Sequence, residues 1–139
     1  MTVHERTTHL GDPLHGLAEA GLEELIDSTA ALRRQLDAHD VMCRQVLDDL
    51  RDHVPMGCAL PAARADAGRS ALTDAIKQFE AIRHRSRLAL VAISLEEGST
   101  IAEIARTWGV SRQLASRWVA ELAPARTDPD GVEPATRRR

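Results

Sequence analysis

From Asp12 to about His53 the apolar side chains recur at alternating steps of three and four, and this stretch constrains the fold more than any other part of the chain. With heptad position a at Leu22, Thr29, Leu36, Cys43 and Leu50, position d falls on Ala18, Leu25, Leu32, His39 and Val46, while Ile26 and Leu47 at e widen the stripe. Such spacing belongs to a helix and not to a strand. Asp12 is a suitable N-cap and Pro13 suits the first helical position; Pro55 and Gly57 mark the end. A helix of this length is about 60 Å long and cannot bury its own stripe, so it requires a partner: a second copy of the chain or a later helix folding back. Leu22, Leu25, Leu32, Leu36, Val46 and Leu50 are the expected dimerisation residues. Gly21, Thr29 and His39 interrupt the seam, and a split into two helices near His39–Asp40 is the alternative to one continuous helix.

Composition points the same way. Aromatic residues make up 2% of the chain, with one Phe, two Trp and no Tyr, which disfavours a β-sandwich or barrel. Ala, Leu, Arg and Glu, all good helix formers, dominate. The expected fold class is therefore all-α. The net charge of -3 excludes a globally cationic nucleic-acid coat, but the charge is unevenly placed. Residues 1–69 carry 7 Arg against 12 acids, whereas residues 70–122 carry 7 basic residues against 6 acids. A DNA surface is accordingly expected in the second half. No signal peptide or membrane span is read, and two cysteines form no disulfide framework, so a cytoplasmic, nucleoid-associated protein is expected.

The rest of the chain divides as follows. Residues 1–11 read as a flexible arm. The helical dimerisation region, 12–69, includes a connection rich in Pro and Gly at 54–69. A second long helix is expected from Ser70, as N-cap, to about Glu97, closed by Gly98. A DNA-binding unit spans 70–122, and residues 123–139, with three Pro and mixed charge, read as a disordered tail.

The segment Thr100–Leu122 is the most informative. Thr100 and Glu103 make an S/T-x-x-E capping box, and Ile101, Ile104, Ala105 and Trp108 then share one helical face. Gly109 suits a left-handed turn, Val110 a buried corner, and Ser111 the N-cap of a further helix whose inner face is Leu114, Ala115, Trp118 and Leu122. Ala105 allows close helix crossing. This register resembles the helix-turn-helix family: an apolar residue and Ala in the first helix, Gly four residues later, an apolar corner residue, then Ala and an apolar residue three further on. It is most similar to the homeodomain-like and resolvase-type three-helix unit found in small bacterial transcription regulators. No strand pair follows Leu122, which disfavours a winged helix.

The resemblance implies that the helix starting at Ser111 enters the major groove. Its outward residues, Ser111, Arg112, Gln113, Ser116 and Arg117, are the base-reading candidates, since Arg pairs with guanine and Gln with adenine through two hydrogen bonds. Arg106 and Thr107 near the turn, and Arg83, Arg85 and Arg87 on the preceding helix, are the phosphate candidates; an ordinary solvated basic face is the alternative for these three.

His39, Cys43, His53 and Cys58 match no zinc spacing, and no metal or cofactor is expected. Nor is there a glycine-rich phosphate loop, a nucleophile elbow or an H-E-x-x-H pair, so the protein is not expected to be an enzyme. Two functions fit these residues. One is a homodimeric regulator that binds double-stranded DNA sequence-specifically; the other is a helical interaction or scaffold protein whose helix-turn-helix unit docks a protein partner.

Overall fold

A computed structural model describes residues 12–123; the arm at 1–11 and almost all of the expected tail fall outside it. The described residues are all-helical, in the order α1 (Pro13–Arg51), α2 (Met56–Ala62), α3 (Ala65–Glu96), α4 (Ile101–Trp108) and α5 (Arg112–Leu122).

α1 is one uninterrupted helix, with no break at His39–Asp40. Asp12 caps it by accepting the Leu14 N–H at 3.1 Å, and Pro13 occupies its first turn. At its other end His53 takes a left-handed conformation, φ 56°, and the Val54 N–H returns to the Asp49 carbonyl.

The stretch expected to be an irregular connection is instead ordered as α2 and the start of α3. Pro55 stands just before α2, where its missing N–H is no loss, and its carbonyl accepts from Cys58 and Ala59. Pro61 falls in the last turn of a short helix, so the ladder it interrupts is about to end anyway. Ala59, almost wholly buried, anchors α2. Arg64 in a left-handed conformation then turns the chain into α3, which begins at Ala65 and not at Ser70.

α3 folds back along α1 as an antiparallel hairpin: Gly21 meets Ser86, Glu24 meets Arg85, and Met42 meets Gly68. The partner that α1 requires is therefore supplied, on one face, within the chain. The row facing α3 is Ala18, Gly21, Leu25, Ser28, Leu32, Gln35, His39, Met42, Val46 and Asp49, every one of them buried or half-buried. This row combines the d positions with the preceding g positions. The a positions Leu22, Leu36 and Leu50 stay exposed, so the six expected dimerisation residues are divided between two faces. At Gly21 the two helices are in direct contact. Ser86 Oγ donates to the Gly21 carbonyl at 2.9 Å, and a Cβ on Gly21 would lie 3.3 Å from that oxygen.

Candidate nucleic-acid interface

The last turns of α3 belong to the hairpin and also to a second, smaller core. There Val91 packs with Ile104 and Ala105 of α4 and with Ala115 and Trp118 of α5; Leu88, Leu95, Ile101, Trp108, Val110, Leu114, Val119 and Leu122 surround them. Val91 and Ala115 are fully buried. A larger side chain at Ala115 would have no room, which is why a small residue stands where the helices cross.

Local chemistry fixes each element of this unit. Gly98, at φ 92°, closes α3. Thr100 Oγ1 accepts the Glu103 N–H at 3.2 Å while the Glu103 carboxylate accepts the Thr100 N–H at 2.7 Å, a complete capping box that starts α4. Hydrogen bonding to the carboxylate by Thr100, through its backbone N–H first and its side chain second, holds the Glu103 carboxyl below the usual carboxylate range, with nearby Arg106 adding a smaller pull. Gly109 ends α4 at φ 64°, ψ 36°, a conformation that disfavours any residue with a Cβ. The Val110 N–H returns to the Ala105 carbonyl at 2.9 Å, and Ser111 Oγ accepts from the Leu114 N–H at 3.1 Å to start α5.

Trp118 lies at the centre of this core. Trp108 meets it edge-on, ring centres 5.9 Å apart at 80°, and the Arg87 guanidinium sits 4.7 Å over its ring. His84 Nε2 lies 2.7 Å from Glu121 Oε2, a second tie between α3 and α5.

The outward face of α5 follows from its register. Gln113, Ser116, Arg117 and Ala120 lie opposite the buried row of Ala115, Trp118 and Leu122, with Arg112 at the edge. Arg112, Gln113 and Arg117 are exposed and Ser116 is half-buried. Ser111 is exposed, but its hydroxyl is engaged as the cap. Arg106 and Thr107 are exposed on the last turn of α4, next to the turn. Among the described residues the exposed large apolar side chains all lie on α1, α2 and α3, so the free faces of α4 and α5 carry none.

Arg83, Arg85 and Arg87, the phosphate candidates on α3, do not act as one cluster. Arg83 pairs with Glu80 at 3.2 Å, and Arg87 is committed to Trp118. Arg85 points to the other side of the hairpin, where it pairs with Glu24 at 3.0 Å. Two residues are about 200° apart on a helix, so Arg83 and Arg85 cannot face the same duplex. The partnerships of Arg87 with Trp118 and of His84 with Glu121 carry no local sequence signal, because both join residues more than thirty positions apart.

Elsewhere, His39 Nδ1 and Cys43 Sγ are 3.6 Å apart on α1, and both Cys43 and Cys58 are free, exposed thiols. Among the described residues no three His, Cys, Asp or Glu side chains are grouped to hold a metal ion, and no helix is long and apolar enough to cross a membrane. Comparison of the chain with known protein families, with curated proteins and with solved structures finds no match.

Proposed function

We propose that the protein is a sequence-specific regulator of transcription that binds double-stranded DNA as a homodimer, with α5 in the major groove. The observation that carries this reading is the combination of a tightly packed three-helix corner with an outward α5 face bearing Arg112, Gln113, Ser116 and Arg117 and no exposed large apolar residue. A helix that docks a protein normally presents an apolar face, whereas Arg and Gln side chains at the start of a helix suit base edges. Arg112 and Gln113 read bases in this scheme. Arg106 and Thr107 hold phosphate in this scheme, and Arg83, paired with Glu80 in the free chain, joins them on release. Arg85, tied to Glu24 across the hairpin, and Arg87, on Trp118, support the fold.

The test compares wild type, Arg112→Ala and Arg106→Ala on one panel of duplexes, by fluorescence anisotropy across a salt titration. The expected loss for Arg112→Ala is about 1–3 kcal/mol on the preferred site, with relaxed preference at one base pair. Arg106→Ala should weaken all sequences alike and reduce the salt slope by about one. Failure of the folded wild type to bind any duplex at low salt would overturn the DNA reading and leave the scaffold reading in its place.

A further inference from the structure

α1 carries two rows at three-four spacing, and only one of them is covered by α3. The second comprises Leu22, Ile26, Thr29, Arg33, Leu36, Asp40, Cys43, Leu47 and Leu50, all exposed except the half-buried Thr29. Five of these are large apolar residues open to solvent, with Ile26 68% and Leu50 56% exposed; Leu17 and Val41, the other exposed large apolar residues of α1, lie off the row. Ile76 of α3, 44% exposed, lies on the same side of the hairpin. It precedes Arg83 by seven residues, and Arg83 shares with Leu22 the lining of a cleft of about 530 Å³. Exposed apolar residues recurring along one helix face in this way mark a contact surface.

The order of residues along the row identifies its occupant. Read about Leu36 as centre, the row is complementary to its own reverse to within one residue, about 1.5 Å along the helix. Leu22 falls opposite Leu50, Ile26 opposite Leu47, Thr29 opposite Cys43, and Arg33 opposite Asp40, while Leu36 meets its own copy. Only an antiparallel arrangement produces these pairs. A parallel pair sets Arg33 against Arg33 and Asp40 against Asp40, which repel. Self-complementarity about a single point is what a two-fold interface demands.

We propose that this second row of α1 is covered by a second copy of the chain, running antiparallel about a two-fold axis at Leu36, to give a four-helix bundle of two α1–α3 hairpins. Asp40 already accepts from Arg44 Nε at 2.8 Å on its own helix, with both side chains exposed, so Arg33 of one protomer then joins the partner's Asp40 as a second cation on that carboxylate, twice by symmetry, between apolar layers at Leu36 and at the two ends. The arrangement rests on the homodimeric part of the function proposed above and is independent of DNA binding.

The test uses the full chain in sedimentation equilibrium, with helix content followed by circular dichroism. Wild type should be a dimer at micromolar concentration. Leu36→Asp should yield a folded monomer, because Leu36 is already 49% exposed within one chain and the α1–α3 contact does not need it. Arg33→Asp and Asp40→Arg should each weaken the dimer by about tenfold, and the double reversal should restore it to within about threefold of wild type, as two exposed ion pairs become two repulsions and then pairs again. Oxidative cross-linking in a Cys58→Ser background separates the orientations. Thr29→Cys should link to the partner's Cys43, whereas Cys43 alone should not link to its own copy. A monomeric wild type overturns both the interface and the homodimeric reading. A dimer that cross-links through Cys43 alone, is indifferent to Leu36→Asp, or is not restored by the double reversal overturns this interface while leaving the DNA-binding proposal standing.

Discussion

The Arg87 guanidinium stands 4.7 Å over the ring of Trp118, which Trp108 meets edge-on from another side. A cation from the long hairpin thus clamps the central aromatic residue of the small C-terminal core, and it joins the two parts of the molecule through one side chain. Trp118 is 4% exposed, so Trp118→Ala should remove about 3–5 kcal/mol and melt α4 and α5 away from the end of α3. Arg87→Ala should remove only about 0.5–2 kcal/mol, with Arg87→Lys intermediate, since lysine keeps the charge but lacks the planar stacking group. Thermal unfolding followed by tryptophan fluorescence measures both. A Trp118→Ala protein with an unchanged transition would contradict the buried position of that ring.

Ser111 has one hydroxyl and two candidate uses, capping α5 or reading a base. The 3.1 Å bond from the Leu114 N–H assigns it to the cap. Ser111→Ala should therefore destabilise the fold by about 0.5–2 kcal/mol, and Ser111→Asp, an equally good cap, should not. On DNA the two variants should separate in the opposite sense, because a carboxylate at the groove-facing end of α5 repels phosphate while alanine does not. Equal stability of wild type and Ser111→Ala in chemical denaturation would remove the cap from the argument.

The capping box of α4 carries a pH dependence whose sign is fixed. The Thr100 N–H and hydroxyl favour the ionised Glu103, so its carboxyl titrates lower in the folded chain than in the unfolded one. The stability this provides is complete above the unfolded value and is lost as pH falls through the depressed folded value. Glu103→Gln should remove that component, so that stability falls less between neutral and acid pH than in wild type. Superimposable acid limbs for the two proteins would show that the box contributes nothing.

Gly21 lies in the α1–α3 contact, with Ser86 Oγ 2.9 Å from its carbonyl and 3.3 Å from where a Cβ would stand. Gly21→Leu should force the helices apart and destabilise by about 1–3 kcal/mol, although leucine is the better helix former by itself. A more stable Gly21→Leu protein in urea titration would mean that this contact is looser than its geometry implies.

Gly21 also shows where sequence reading stops. The turn between α4 and α5 is legible because its determinants are local: Thr100 with Glu103, Gly109 and Ser111 each act within three or four residues. Both ends of α1 are legible for the same reason, through Asp12, Pro13 and Pro55. The covered face of α1 is not, because apolarity alone selects Leu22, Leu36 and Leu50 along with Leu25, Leu32 and Val46. The face α3 covers instead includes Gly21, Ser28, Gln35 and Asp49, small or polar residues that suit a close helical approach or the edge of a contact. α2 was hidden by Gly57 and Pro61, whose effect as breakers depends on where in a helix they fall. Among the site residues, exposure of Arg112, Gln113 and Arg117 follows from helical register. The commitments of Arg85 to Glu24 and of Arg87 to Trp118 depend on which distant element packs alongside.

The antiparallel bundle and the placement of α5 together predict the spacing of the DNA half-sites. Because Gly21 stands beside Ser86, Val91 is level with about residue 16 of α1, some twenty residues from the two-fold axis at Leu36. At 1.5 Å per residue each small core lies about 30 Å from the axis, and the ends of α3 about 37 Å, so the two DNA-binding units are about 60–75 Å apart. That is two turns of B-DNA, at about 34–36 Å each, and not one. Duplexes carrying two copies of the preferred half-site at centre-to-centre separations of about 10, 15, 20 and 25 base pairs should bind most tightly at about 20, where both sites also face the same side of the helix. Leu36→Asp should abolish the dependence on spacing while leaving the affinity for one half-site in place, since avidity and not contact is what it removes. A wild-type optimum at about 10 base pairs would rule out the antiparallel bundle even if every base contact of α5 proved correct.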